Sequence, residues 1–75
     1  MTIKRDVDCL DFLTQVKACR GEVLFKSAEG DVLNLKSVLS QYVFAAVMER
    51  REFISRGEVV CEDESDYAVL SDFLM

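Results

Sequence analysis

The chain has 75 residues and a formal net charge of −5, and it contains no histidine, no proline and no tryptophan. This length fits one small domain that spans residues 1–75, and the 51% apolar content is typical of a folded chain. Without histidine the chain cannot carry a phosphohistidine, use a Ser-His or Cys-His nucleophile pair, or bind a metal through imidazole. The acidic excess disfavours a nucleic acid as the main partner, because Lys and Arg supply most of the affinity for phosphates.

The sequence favours a cytoplasmic location. No apolar run approaches the roughly 18–20 residues that a membrane span needs, so we expect no membrane partner. The charged start, Met1 to Asp8, lacks the pattern of a secretory signal. Cys9, Cys19 and Cys61 are odd in number and lack CxxC spacing, which predicts reduced, mostly buried thiols. A zinc site or a reactive thiol is the alternative role for these cysteines.

The first predicted element is a helix over residues 7–20. Asp6 or Asp8 can cap its start with a side-chain carboxylate, and Gly21 follows its end, where helices commonly stop. One face of this segment carries apolar residues at helical spacing: Cys9, Phe12, Leu13, Val16 and Cys19.

A β-hairpin and a second helix are predicted next. Short apolar runs at residues 22–26 and 31–35 flank a loop that contains Gly30, which is typical of a hairpin. Ser37 is a favourable N-cap, because its side-chain oxygen can accept a hydrogen bond from an N–H group of the first turn. The following helix, residues 38–48, is apolar almost all the way round. We expect it either to be covered on two sides within a small core or to meet a partner protein.

The last third of the chain predicts a strand and a third helix. Residues 49–52 are expected to be charged and exposed to solvent, and residues 53–55 are expected to form a short connecting segment. Residues 58–62 have the β-branched apolar pattern of a strand. An acidic cluster at residues 63–66 then begins a helix with apolar residues at helical spacing as far as Leu74. The spacing of the acidic residues does not match an EF-hand loop, so we expect neither a metal nor a cofactor.

The predicted order of elements is therefore α-β-β-α-β-α. This order indicates an α+β fold in which a small antiparallel sheet carries three helices on one face. The sheet has three strands, or four if residues 1–5 add one.

The segment Asn34 to Ser37 (NLKS) resembles the histidine-containing phosphocarrier protein of the bacterial sugar phosphotransferase system, HPr, in which a near-identical stretch leads into the second helix. The order of elements from residue 6 onward is similar to that of the family. The tail from Asp63 to Leu74 is similar to the acidic start of the family's last helix. The resemblance implies an HPr-like open-faced sandwich, a regulatory role in a bacterium, and a protein partner such as a kinase or a regulator.

The resemblance does not extend to phosphoryl transfer. The family begins with a strand and a loop that carries the phosphorylated His, followed by an Arg and a Pro. The shared elements place Arg5 about where that His would be, with Val7 and Asp8 in place of the Arg and the Pro. The carboxylates of Asp6, Asp8 and Asp11 would also repel an incoming phosphoryl group.

In the family the first strand lies at a sheet edge beside the last strand. Without that first strand, residues 58–62 would form an open edge with unpaired backbone groups. Glu58 and Glu62 can blunt such an edge, residues 1–5 can add a short strand, or a second chain can pair there.

Ser37 matches the family's regulatory serine, so the resemblance implies phosphorylation by a dedicated kinase. A plain helix cap is the alternative role. We expect an HPr-like regulatory or protein-binding module that is not an enzyme and has no catalytic residues. The candidate partner-binding residues are Leu39, Tyr42, Val43, Ala46 and Val47.

Two other classes of function stay open. The first is a small homo-oligomeric assembly protein, in the simplest case a C₂ dimer, that uses the helix at residues 38–48 or the strand at residues 58–62. The second is a small enzyme built on Cys9, Cys61 or the acidic group at residues 62–66.

Overall fold

Seven regular elements make up the computed structural model, which describes residues 1–75. The predicted α+β class with a three-stranded antiparallel sheet is confirmed, although the helices number four rather than three. The longest helices have 10 residues, and none of the four has the length and apolar character that a membrane crossing requires. In chain order the elements are α1 Cys9–Ala18, β1 Val23–Lys26, β2 Val32–Asn34, α2 Val38–Val47, α3 Arg51–Arg56, β3 Glu58–Cys61 and α4 Asp66–Val69.

The three strands form one antiparallel sheet in the order β2-β1-β3, which confirms the predicted hairpin. Side chains alternate along β1, where Val23 and Phe25 are buried and Lys26 is exposed. Buried and exposed residues of β3 lie opposite buried and exposed residues of β1: Val59 lies opposite Phe25, and Glu58 lies opposite Lys26. One face of the sheet therefore carries the core, and the other faces solvent.

A single cluster of 16 buried hydrophobic residues forms the core. Phe44 of α2 joins its layers, because the centroid of its ring lies 5.8 Å from that of Phe12 in α1 and 5.4 Å from that of Phe25 in β1. Phe12 also meets Phe73 edge to face at 5.6 Å. Each buried aromatic side chain removes about 150–250 Å² from water, so this group contributes a large share of the stabilisation.

Helix α1 has the predicted cap but ends earlier than predicted. The carboxylate of Asp8 accepts a hydrogen bond from the N–H of Asp11 at 3.0 Å, so Asp8 rather than Asp6 is the N-cap. The helix ends at Ala18, because the backbone is extended at the next residue and the N–H groups after it bond to the carboxylate of Asp66.

The predicted connecting segment at residues 53–55 is part of a helix. Helix α2 ends at Val47, and α3 begins at Arg51 after a break at Arg50, whose ψ angle is 79°. The prediction was wrong because a helix of six residues is too short to repeat an apolar spacing, and Ile54 is its one fully buried side chain.

The last helix is much shorter than predicted. Helix α4 ends at Val69 and the chain then turns, so the prediction of a helix as far as Leu74 was wrong. The two ends of the chain pair instead: Ile3 forms a β-bridge with Leu74, and Thr2 and Met75 exchange backbone hydrogen bonds of 3.2 and 2.8 Å. An N–H group in the last turn of a helix donates to the C=O four residues before it, so the donation from Met75 to Thr2 excludes helix at the terminus.

The outer edge of β3 is covered. The N–H of Val59 donates to the C=O of Met1 at 2.7 Å, and the N–H of Cys61 donates to the hydroxyl of Tyr67 at 3.0 Å. The N-terminal ammonium also lies 3.6 Å from the carboxylate of Glu58. The start of the chain therefore pairs with this edge through one residue rather than through a full strand.

Candidate functional site: the outward side of helix α2

Helix α2 carries the candidate site because the core anchors it on one side only. The side chains of Phe44 and Met48 are 0% and 4% exposed. On the opposite side Leu39 and Tyr42 are each 73% exposed, and Val38 is 66% exposed. With 3.6 residues per turn, these three residues share the side that faces away from the core.

We call this outward side the α2 face, which consists of Val38, Leu39, Tyr42, Val43, Ala45 and Ala46. No charged residue occurs from residue 38 to residue 48, whereas an ordinary surface helix carries charged and polar residues toward solvent. Exposed side chains of these sizes form an apolar patch on the order of 500 Å², which lies toward the upper end of what monomeric proteins expose.

The α2 face contains four of the five predicted partner-binding residues. Leu39, Tyr42, Val43 and Ala46 are exposed, whereas Val47 is half-buried and packs against the core. The core covers one side of the helix and not two, which excludes the first of the two predicted alternatives, a helix covered on both sides. Packing within this chain therefore does not account for the apolar outward side.

Ser37 lies at the start of the α2 face. Its φ and ψ angles of −79° and 130° are those of an N-cap, but its hydroxyl makes no capping hydrogen bond. Its backbone C=O accepts the first helical hydrogen bond, from the N–H of Gln41 at 2.9 Å. The predicted side-chain cap was therefore wrong, and the hydroxyl is exposed and free at the N-terminus of the helix.

Asn34 holds the turn that leads into α2. Its side-chain oxygen accepts from the N–H of Lys36 at 3.0 Å, its backbone C=O accepts from the N–H of Ser37 at 3.0 Å, and its side-chain amide donates to Glu22 at 2.6 Å. The ammonium of Lys36 donates to the C=O of Cys19 just after α1. Sequence reasoning missed these two positioning roles, although Asn34 and Lys36 both lie in the motif that carries the resemblance.

A shallow groove borders the α2 face on the side of α1. Leu13 and Lys17 of α1 line it together with Val38 and Tyr42 of α2. This places a positive charge beside the N-terminal half of the α2 face. Glu49, which is exposed, follows the C-terminal end of the helix. Two arginines, which are also exposed, follow Glu49, so the C-terminal end of the face carries charges of both signs.

The charged segment after α2 is exposed, as predicted, but it also makes local contacts. The guanidinium of Arg51 donates to the backbone C=O of Arg5 at 2.8 Å. The guanidinium of Arg50 lies 5.9 Å from the centroid of the Phe53 ring. These contacts connect the charged segment to the N-terminal residues and to α3.

The three cysteines are free thiols away from the α2 face. Cys19 and Cys61 are buried and Cys9 is half-buried. Burial raises the pKa of the Cys61 thiol to about 11. Burial first, and the nearby carboxylate of Asp8 second, also raise the pKa of Cys9, and burial raises that of Cys19. Thiols with raised pKa values are poor nucleophiles at neutral pH.

The acidic residues around α4 have structural partners. The carboxylate of Asp66 is 1% exposed and accepts hydrogen bonds from the N–H groups of Arg20 and Gly21 at 2.9 and 2.8 Å. Hydrogen bonds from the hydroxyl and the backbone N–H of Ser65 lower the pKa of Asp63. The structure holds no group of three or more His, Cys, Asp or Glu side chains arranged to bind a metal ion.

The arrangement suits association with another protein. An uncharged apolar surface can be buried against a partner, and a phosphate on Ser37 would lie at its border, near the free N–H groups of the first helical turn. Comparison of the chain with models of protein families, with curated proteins and with solved structures finds no match.

Proposed function

We propose that this protein is a non-catalytic, HPr-like binding module of the bacterial cytoplasm that docks a protein partner through the α2 face. The observation that carries the proposal is the apolar, uncharged outward side of α2, on which Leu39 and Tyr42 are each 73% exposed. Removing such surface from water contributes about 25 cal/mol per Å² to association. The patch supplies the apolar centre of an interface, and neighbouring polar residues would form its rim.

The HPr-like part of the proposal is supported by the arrangement around the motif. Residues 34–37 connect the edge strand β2 to α2, the position that the resemblance implies. Strand β3 lies at the opposite edge, where the family's first strand would pair, and Met1 bonds to it there. A chain without histidine cannot carry the family's phosphohistidine, so binding rather than phosphoryl transfer is the activity we propose.

Phosphorylation of Ser37 is the proposed control of this surface. The hydroxyl is exposed, has no internal hydrogen-bond partner and precedes a helix of 10 residues. A phosphate there would be stabilised by the helix N-terminus and would add negative charge beside Val38 and Leu39. A partner that buries the apolar face would then have to remove that charge from water, which would weaken binding.

Labelling with the serine kinase of the HPr family and ATP tests this proposal. We expect one phosphate per chain in the wild-type protein and in the Ser40→Ala control, and none in Ser37→Ala. Absence of label from the wild-type protein, or equal label in Ser37→Ala, would count against the proposal. Phosphoenolpyruvate and the enzyme that phosphorylates HPr on histidine should leave the protein unlabelled.

Self-association through the same face is a second candidate function. The uncharged apolar outward side of α2 can be buried against the same side of a second copy of the chain in a symmetric dimer. Sedimentation equilibrium separates the two candidates. If the protein is a monomer at two concentrations that differ 100-fold, the result favours a different protein as the partner. If it is a dimer that Tyr42→Glu dissociates, the result favours self-association.

A further inference from the structure

The two edges of the sheet differ in how their backbone groups are used. Both outward N–H groups of β3 described above are bonded, to Met1 and to Tyr67. Strand β2 forms the other edge, and no further strand lies beside it. Natural proteins usually protect such edges, because unpaired N–H and C=O groups offer a template for another strand.

The hydrogen-bond register shows which backbone groups of β2 are free. The N–H of Ser27 donates to the C=O of Asp31, and the N–H of Leu35 donates to the C=O of Val23, each at 2.8 Å. In an antiparallel pair, bonded and non-bonded residue pairs alternate. Val32, which lies opposite Lys26, therefore belongs to a non-bonded pair, and its N–H and C=O point away from β1 into solvent.

An apolar groove runs between this edge and the helices. It has a volume of about 330 Å³, and Leu33, Val43, Val47 and Phe53 line it together with Asp31 at one end. Side chains alternate between the faces of a sheet. In a strand added beside β2, the residue opposite Leu33 would therefore place its side chain on the helix side, in this groove.

We propose that the β2 edge and its groove bind an extended peptide segment of another protein as an added strand. The free N–H and C=O of Val32 supply main-chain hydrogen bonds, the groove takes one apolar side chain, and the exposed carboxylate of Asp31 favours a basic side chain nearby. This surface meets the α2 face only at Val43, and the inference does not depend on the proposed function.

A second copy of the chain fits this edge less well than a peptide. If Val32 exchanged both hydrogen bonds with Val32 of the second copy, Asp31 of the second copy would lie opposite Leu33. Its carboxylate would then be buried in the apolar groove, which is unfavourable. A shift by two residues places Val32 opposite Asn34 of the second copy, whose C=O already accepts from Ser37. A foreign segment has neither restriction.

Selection from a phage-displayed library of random nonapeptides tests the proposal. We expect the folded wild-type protein to enrich sequences in which apolar residues alternate with polar ones and a Lys or Arg is present. The best sequence is then synthesised. Its binding should fall at least about tenfold in Val32→Pro, which lacks the edge N–H, and persist in Val32→Thr, which keeps it.

The same peptide with N-methyl groups on alternate residues provides a measurement on the unchanged protein. Methylation on the bonded residues should reduce binding at least about tenfold, and on the other residues it should not. Failure to enrich any sequence, or equal binding by Val32→Pro and by both methylated peptides, would overturn the proposal. A dimer of the free protein that slows hydrogen exchange at Val32 would also overturn it, because the occupant would be a second copy.

Discussion

The ring of Phe44 packs on the ring of Phe25 with centroids 5.4 Å apart and an angle of 65° between the planes. This contact fixes α2 to the sheet through its inner side, and it leaves the apolar outer side without a partner in the chain. The orientation of α2, and with it the α2 face, depends on this pair.

Truncation of Phe44 should therefore destabilise the fold. We expect Phe44→Leu to lower the free energy of unfolding by about 1–2 kcal/mol, because it loses the aromatic contacts and leaves a small cavity. The exposed Tyr42→Ala control should change it by less than about 0.5 kcal/mol. Urea unfolding followed by circular dichroism measures both. A Phe44→Leu protein as stable as Tyr42→Ala would contradict the proposed anchoring.

Asp66 should be more important for stability than its position in an acidic cluster indicates. Asp66→Asn keeps the size of the side chain, but one of its two acceptor oxygens becomes an amide that cannot accept from Gly21 or Arg20. We expect a loss of about 1.5–3 kcal/mol, since the acceptor is buried and charged. The exposed Asp72→Asn serves as the control in the same unfolding experiment, and equal effects of the two substitutions would contradict the assigned role.

Gly57 should not tolerate a side chain. A Cβ atom there would clash with Cζ of the buried Phe25 ring, so we expect Gly57→Ala to destabilise by about 1–3 kcal/mol through overpacking. The Phe25→Leu background should reduce this cost, because it removes the clashing atoms. A double-mutant cycle in urea measures the coupling, and additive effects of the two changes would show that the ring does not limit this position.

Stability should fall at alkaline pH through Cys61. Burial raises the pKa of its thiol from 9.0 to about 11, so the unfolded chain loses this proton before the folded chain does. The contribution of this thiol to the free energy of unfolding is complete below pH 9 and is lost as the pH rises from 9 to 11. Thermal melting across this range should show a flatter pH profile for Cys61→Ala than for the wild-type protein. Identical slopes would contradict the assignment to Cys61.

The elements that the sequence predicted well are those decided by local contacts. The carboxylate of Asp8 caps α1 within one turn, and the two short apolar runs on either side of Gly30 pair as β1 and β2 across a short loop. The predictions that failed depended on distant residues. The chain turns after Val69 and Leu74 pairs with Ile3, and the partners of Asp66 lie 45 and 46 positions away in the chain. No local pattern encodes such contacts.

The candidate site was also predictable only in part, because some of its features depend on local sequence and others on contacts between distant residues. An uncharged run from Val38 to Met48 shows in the sequence that α2 has more apolar surface than one core contact needs. Which side faces outward depends on how Phe44 meets the sheet, so the sequence did not show that Val47 is half-buried against the core whereas the other four candidates are exposed. The free hydroxyl of Ser37 has no signal in the sequence, because a serine just before a helix predicts a side-chain cap.

The rate of Ser37 phosphorylation by the HPr-family kinase tests the α2 face most directly, with Ala46→Glu compared against Leu10→Glu. Ala46 lies on the α2 face about 13 Å along the helix from Ser37, whereas Leu10 is 74% exposed on α1. We predict that Ala46→Glu lowers kcat/KM at least about tenfold, mainly by raising KM, and that Leu10→Glu leaves it unchanged. Equal kcat/KM values for the two variants would contradict docking through the α2 face.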